Sequence, residues 1–219
     1  MAVTGAASRA NYEKQLNDLL FEGAKIRNAP GGRYDRIRRG VEPLEAIRVS
    51  LIQQYFHTLG FTNALRYLYA RCDDPKIRGE IADGLIEEET GSFSGTASHI
   101  ELFCQLAEAF DLPREKLENE AYMVPEMGAI VHWYHYAATA LPIIEGVAVL
   151  NFASEGQNVD FDEHKGSARV LLDALTKHYG KSGDALVFST VHATADQEHA
   201  ATGARLLAEN VTTAQEQER

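Results

Sequence analysis

Cysteine is scarce in this sequence: Cys72 and Cys104 are the only two among its 219 residues. Two cysteines are too few for the disulfide framework that stabilises small secreted proteins. Long apolar runs are missing as well, because no hydrophobic leader precedes Asn11 and no uncharged apolar stretch reaches the ~18 residues that a membrane-spanning helix needs. These absences predict a cytoplasmic protein in a reducing environment, without a membrane span.

Basic residues are outnumbered by acidic ones, 21 to 32, which gives a formal net charge of -11. This charge argues against non-specific nucleic-acid binding, since such binding depends on neutralising phosphates. The exception is a local basic cluster made of Arg33, Arg36, Arg38 and Arg39. We interpret this cluster as a solvated loop and helix start; contact with an anion or a partner is the alternative.

The alternating apolar pattern of β-strands is also absent, and the helical period dominates. With 45% hydrophobic residues, the chain can bury one substantial core. We predict an all-α bundle in a single domain, residues 11–209, between a flexible N-terminus, 1–10, and a polar tail, 210–219. Its seven helices are expected near 10–26, 42–71, 75–90, 96–110, 125–155, 160–179 and 183–209.

The most informative segment is 189–201, in which His192, Asp196 and His199 are spaced by four and three residues. In a helix, this spacing places all three side chains along one face within ~11 Å, where they can share one metal or bridge two. The same face continues through Phe188 and Leu206, so we expect it to be buried. A solvated helix face or a lone Asp–His hydrogen bond is the alternative.

An acidic triplet, Glu87 to Glu89, ends a predicted helix. Glu88 falls on the same face as Ile77 and Ile81, whereas its two neighbours lie to either side. Glu88 is therefore the preferred metal ligand, with Glu89 as the alternative. A solvated charge run is the ordinary explanation of such a triplet.

His99 follows Glu88 by 11 residues. An unbroken helix would separate them by ~16 Å, much too far to share a metal. Gly91 and Gly95 make a break plausible, because glycine accepts the backbone conformations that reverse a chain. We expect the chain to fold back and bring His99 to the site of Glu88.

A further candidate ligand, Glu155, ends the long apolar stretch that begins at Met127, and Glu145 is its alternative. Two histidines of the same stretch lie three residues apart on one face. We interpret them as core or pocket-lining residues rather than ligands. The aromatic and imidazole side chains available to line a substrate pocket or to relay electrons are Tyr122, His132, Trp133, Tyr134 and His135.

These motifs together resemble the heme-oxygenase-like diiron oxidases and oxygenases. The resemblance rests on GLIEE at 84–88, His99, NFASEG around Glu155 and HATADQEH at 192–199, and it extends loosely from Gly40 to about Leu207. That superfamily includes a fatty-acid decarboxylase that makes undecene, amine N-oxygenases and the chlamydial protein associated with death domains. The resemblance implies a heme-oxygenase-like (TenA-like) seven-helix bundle.

The resemblance also implies a metal centre and a class of reaction. Two iron ions per chain, Fe(II)/Fe(III), would use dioxygen as co-substrate for N-oxygenation, oxidative C–C cleavage or desaturation. The substrate would be a small molecule: an amino acid, an amine or a fatty acid. An external electron donor and a homodimer are further possibilities. The implied ligands are Glu88, His99, Glu155, His192, Asp196 and His199, and no other catalytic residue is implied.

Carboxylate and imidazole ligands without thiolates suit iron or manganese. We assign Glu88, His99 and His199 to one iron and Glu155 and His192 to the other, with Asp196 between or beside them. One rival is a cofactorless enzyme on the same fold, which would need a nucleophilic cysteine; the neighbours of Cys104, Phe103 and Leu106, indicate a small core residue instead. The other is a metal-storage or interaction protein of ferritin type, which would need Glu-x-x-His motifs that this sequence lacks.

Overall fold

The computed structural model describes residues 5–218 and contains no β-strand within that range. None of the helices in this range has the length and apolarity required to cross a membrane. The α-helices are α1 Arg9–Arg27, α2 Arg33–Arg38, α3 Leu44–Arg71, α4 Pro75–Thr90, α5 His99–Glu108, α6 Arg114–Leu117, α7 Pro125–Thr139, α8 Ile143–Val147, α9 Ser167–His178, α10 Val187–Asn210 and α11 Ala214–Gln217. A π-helix covers Ala148–Ser154, and 3-10 turns cover Glu120–Tyr122, Glu155–Asn158 and Gly183–Leu186.

The bundle is organised around α3 and α10. Helix α3 packs most extensively against α7 and also contacts α4 and α5, while α10 contacts α1, α9 and the π-helix. Leu65 and Leu68 of α3 are buried in one apolar cluster, and Phe103 and Leu106 of α5 are buried in another. The predicted all-α bundle is therefore confirmed, with the residues 42–71 and 75–90 helical almost as predicted.

Helix α4 ends where the glycines predicted a break. Asp74 caps its first turn and Pro75 is its first residue, while Gly91 at its end has a φ of 62°. A Cβ at Gly91 would collide with the backbone of Thr96 and Ala97. The chain thus reverses immediately after the acidic triplet, and Ser98 caps the start of α5.

The predicted helix 125–155 is wrong as one continuous helix. It ends at Thr139, because Pro142 has no backbone N–H to extend it, and restarts as α8. The π-helix follows, and such wider turns often occur at functional sites. Gly203 of α10 lies so close that a Cβ there would come within 2.7 Å of the Asn151 carbonyl oxygen.

The predicted helix 160–179 begins later, at Ser167. The preceding residues form a loop in which a carboxylate oxygen of Asp160 accepts a hydrogen bond from the backbone N–H of Gly166 at 2.8 Å. This side-chain contact competes with helical pairing and delays the helix start.

The two ends of the described chain contact each other. The N–H of Ala7 donates to the side-chain oxygen of Gln217 at 2.8 Å. The segment predicted as a polar tail buries Val211 and forms α11, whose start is closed by reciprocal hydrogen bonds between Thr213 and Glu216. Within the N-terminal segment 1–10, residues 1–4 lie outside the described range, as does residue 219.

Candidate metal centre

Six carboxylate and imidazole side chains converge where α4, α5, α10 and the turn after the π-helix meet. They form two groups of three, and within each group the ligand atoms lie within 4.8 Å of one another. The first group is Glu88, His99 and His192; the second is Glu155, Asp196 and His199. The structure thus brings together the six residues selected from the sequence.

The two groups divide the histidines of α10 differently from the assignment made on the sequence. His192 lies beside His99, with ring centroids 4.6 Å apart, whereas His199 faces Glu155 with 3.9 Å between Nδ1 and Oε1. The reason is that His192 and His199 are two turns apart on α10, so each meets a different neighbouring element. His192, rather than His199, belongs with Glu88.

The first group contains a short hydrogen bond. His99 Nδ1 and Glu88 Oε1 are 2.7 Å apart in a buried environment, and the hydroxyl of Thr62 lies 3.4 Å from the other oxygen of Glu88. Burial alone would raise the pKa of Glu88, but the neighbouring His99 lowers it. Burial opposes protonation of His99, yet the Glu88 carboxylate raises its pKa. The side chains of Glu88 and His99 therefore stabilise each other's charged forms.

The neighbours of Glu88 lie in contrasting environments. Glu89, the alternative ligand, is exposed and pairs with Arg66. Glu87 is buried, and its Oε2 accepts hydrogen bonds from the backbone N–H groups of Phe93 and Ser94 at 2.8 and 3.2 Å. Although burial raises the pKa of Glu87, these hydrogen bonds hold it below its usual value.

The second group is a buried pair of carboxyl groups beside an imidazole. Asp196 accepts a hydrogen bond from the amide of Asn158 at 2.5 Å, and Asn158 itself is fixed by the N–H of Ala168 at 2.9 Å. Burial raises the pKa of Glu155 well above its usual value, and the nearby Asp196 raises it further. Burial likewise raises the pKa of Asp196. A bound cation would relieve this repulsion.

The histidines of α10 are suited to metal binding in their neutral forms. Burial, and then the nearby His99, lower the pKa of His192 to about 4; burial also lowers the pKa of His199. The Nδ1–H of His192 is positioned to donate to the carbonyl oxygen of Phe188 at 2.9 Å. This contact leaves the Nε2 lone pair of His192 for a metal.

This donor set fits iron. Three carboxylates and three imidazoles, with no thiolate, face one another from packed helices, as in carboxylate-bridged metal sites. In the second group two buried carboxyl groups lie together with raised pKa values, and a bound cation would let both ionise. The alternative ligands lie outside both groups: Glu89 is exposed, and Glu145 is half-buried on α8.

A cavity of about 880 Å³, its open mouth included, adjoins both groups. Glu88 and Glu155 line part of it, and apolar side chains such as Leu51 and Phe188 line much of the rest. The aromatic and imidazole residues proposed from the sequence lie elsewhere. Four residues predicted to line the substrate pocket are exposed and do not border this cavity: Tyr122, His132, Trp133 and His135.

Tyr134 is the buried member of that aromatic segment, and it leads to a polar wall of the cavity that the sequence did not reveal. The amide of Gln54 is positioned to donate to Nδ1 of His57 at 3.3 Å, and His57 Nε2 lies 2.8 Å from the Tyr134 hydroxyl. That hydroxyl is 2.9 Å from the hydroxyl of Ser154. Burial lowers the pKa of His57 to about 4 and raises the pKa of Tyr134 to about 12, so both are neutral.

Sequence comparison places this centre in a known family. Residues 48–219 match the family described as iron-containing redox enzyme. Because this match covers more than half of the chain, the protein belongs to that family of iron-containing redox enzymes. It is an oxidoreductase, and the resemblance to heme-oxygenase-like iron enzymes is confirmed.

The individual relatives share about a quarter of their aligned residues with this chain. A protein named 4-aminobenzoate synthase from Chlamydia pneumoniae is 25% identical over 76% of this chain and 69% of its own length. A protein of the same name from Chlamydia trachomatis serovar D is 27% identical over 76% of this chain and 68% of its own length. Another, from Chlamydia muridarum, is 26% identical over 87% of this chain and 75% of its own length.

A solved structure of a TenA homologue from Pseudomonas syringae pv. tomato shares the fold. It superposes with a TM-score of 0.69 at 15% identity, covering 95% of this chain and 82% of that one. The predicted TenA-like helical fold is confirmed by this similarity.

Proposed function

We propose that this protein is a non-heme diiron oxidase or oxygenase that activates dioxygen and acts on a small molecule. The observation that carries the proposal is the pairing of two adjacent three-residue groups, each with carboxylate and imidazole donors, in a chain of an iron-containing redox family. Two metal ions held side by side can act on one small molecule together.

Each group would hold one iron. Glu88, His99 and His192 would bind the first, and the second would be bound by Glu155, Asp196 and His199. When bound, the two irons supply the redox chemistry with dioxygen, and an external donor would return the electrons consumed.

The protein side chains around the centre have separate roles. Asn158 holds the Asp196 carboxylate by hydrogen bonding, while Leu51 and Phe188 make the adjoining cavity apolar and limit access of water. The hydrogen-bonded series from His57 through Tyr134 to Ser154 ends one residue before Glu155. It can orient a polar group of the substrate or carry a proton along its hydroxyl groups.

The substrate would be a small organic molecule. The cavity beside both groups combines apolar walls with a few polar groups, as small-molecule sites do. Amino acids, amines and fatty acids fit this description, through N-oxygenation, oxidative C–C cleavage or desaturation. The relatives named 4-aminobenzoate synthase favour a small acid or amine.

The cofactorless alternative needs a reactive thiol, and the structure does not favour one. Cys104 is buried within the apolar cluster of α5, does not border the cavity, and has a pKa raised by that burial. A thiol of this kind is a core residue rather than a nucleophile.

Dioxygen uptake tests the proposal. The chain loaded with ferrous iron under argon should consume dioxygen on mixing, and Glu155→Gln should reduce the rate at least tenfold because it removes a charge from the second group. Glu89→Gln, an exposed change in the same protein, is the matched control. A loaded wild-type chain that leaves dioxygen unchanged would contradict the proposal.

A further inference from the structure

The basic cluster that runs along α2 to Arg39 contains one arginine unlike the others. Three of its four members form ion pairs with neighbouring acids: Arg36–Glu42, Arg38–Asp35 and Arg39–Asp35. Arg33 forms no ion pair and no side-chain hydrogen bond with any residue of the described range 5–218. Its charge therefore has no ion-pair partner among the described residues.

Arg33 is directed at the cavity rather than at open solvent. It is half-buried, it lines the same cavity as the ligands Glu88 and Glu155, and its guanidinium lies 5.4 Å from the ring centroid of Tyr34. Its Nε atom is buried without an acceptor. Burying an N–H donor without a partner is costly, so a ligand that supplies the acceptor gains binding energy here.

A second unpaired guanidinium lies near the same ring. Arg27, at the end of α1, interacts electrostatically with Tyr34 and has its Nε and Nη2 atoms buried without acceptors. Burial lowers its pKa, and no acid pairs with it among residues 5–218. Two guanidinium groups thus lie near Tyr34, and neither forms an ion pair within residues 5–218.

These positive charges are separate from the candidate metal ligands. Arg33 borders the cavity together with Glu88, Glu155 and Asp196, yet it forms an ion pair with none of them. The cavity therefore has two chemically distinct parts, a metal-binding part and a cationic part. Apolar side chains such as Leu51 and Phe188 also line it.

We propose that Arg33, supported by the charge of Arg27, binds a carboxylate group of the substrate. This inference rests on the proposed function, and it defines the substrate as an organic acid whose carboxylate is held by the protein while another part of the molecule faces the metal ligands. The planar guanidinium fork matches a carboxylate and can donate two parallel hydrogen bonds to it. Arg33 is in this sense a residue that determines specificity.

Calorimetric binding of matched acids and amides tests the proposal. The probes are 4-aminobenzoate and octanoate, each compared with its primary amide, on the full chain loaded with ferrous iron under argon. We expect wild type to bind at least one acid about tenfold to a hundredfold more tightly than its amide, as for a charge-assisted hydrogen bond. Arg33→Gln should abolish most of this ratio without weakening amide binding.

Two further variants test whether the effect of Arg33 comes from its position and planar group or only from its charge. Arg39→Gln removes one positive charge from an exposed neighbour and should leave the acid-to-amide ratio unchanged. Arg33→Lys keeps the charge but loses the planar fork, so it should retain only part of the ratio. Circular dichroism and melting temperature check that each variant is folded.

The outcome is independent of turnover. A ratio that survives in Arg33→Gln would place the carboxylate on the metals and overturn the proposal, as would a wild-type chain with no preference for either acid. Repeating the titrations without added iron distinguishes a failure of the carboxylate site from a failure of the proposed diiron function. Binding that depends on Arg33 with or without iron supports the carboxylate site even if the chain consumes no dioxygen.

Discussion

The Nε2 atom of His99 lies 3.4 Å from the Oε1 atom of Glu87, and both atoms are buried without another partner in the described chain. The Nδ1 atom of the same ring lies 2.7 Å from Glu88. Two consecutive carboxylates of α4 thus lie next to the two nitrogens of one imidazole. With the proton on Nε2, the ring would donate to Glu87, which would fix its orientation and leave Nδ1 available to a metal shared with Glu88.

Substituting Glu87 tests this relationship. Glu87→Gln should weaken ferrous-iron binding about tenfold to a hundredfold, because its single oxygen cannot accept both from His99 Nε2–H and from the backbone N–H groups of Phe93 and Ser94. Anaerobic titration against a competing chelator measures the affinity. Glu89→Gln, two residues away but exposed, should bind iron like wild type. Equal affinities in all three proteins would show that Glu87 only anchors the loop at Phe93 and Ser94.

The choice between Glu88 and Glu89 as ligand has its own test. Glu88→Ala should abolish oxygen activation by the iron-loaded chain, since Glu88 is buried against His99. Glu89→Ala should keep most of the activity, since it loses only an exposed ion pair with Arg66, a contact of small energetic value. Dioxygen uptake by both variants provides the comparison, and a reversed order would make Glu89 the ligand.

Metal binding and the stability of α10 should be linked. Without a cation, the carboxyl groups of Asp196 and Glu155 must share a buried site, so the middle of α10 should open more readily. Ferrous iron should increase amide-exchange protection across residues 189–203 far more than in α3, and Asp196→Asn should reduce that gain. Equal protection with and without iron would mean that packing alone holds the helix.

His57 should make stability depend on pH. Burial lowers its pKa in the folded chain to about 4, below the usual value of 6.5. Between these pH values the unfolded chain binds a proton at His57 and the folded chain does not. The stability of the folded chain that depends on neutral His57 is therefore fully present above pH 6.5 and is lost as the pH falls towards 4. Urea unfolding without metal should show a smaller loss of stability on acidification for His57→Gln than for wild type. Identical pH profiles would contradict this account.

Much of the centre could be predicted because it depends on helix phase and chain reversal. The apolar stripe of α4 selected Glu88 over Glu89, and Gly91 indicated the turn that brings His99 back. The spacing on α10 placed three candidate ligands on one face. Such local rules hold here because each concerns residues close together in sequence.

The parts that could not be predicted depend on which elements become neighbours. Helix phase does not show which turn of α10 meets α5, and so the sequence grouped His199 with Glu88, whereas the structure places His192 there. Glu87 is buried only because the loop after Gly91 closes over it. Trp133 remains 50% exposed because another face of α7 packs against α3.

The number and kind of bound irons test the central claim most directly. The chain loaded anaerobically with ferrous iron should bind about two irons, with the Mössbauer spectrum of a carboxylate-bridged pair, since the six candidate ligands form two groups of three. Elemental analysis of the same sample gives the stoichiometry. Recovery of a single tightly bound zinc ion with no affinity for iron would contradict the account.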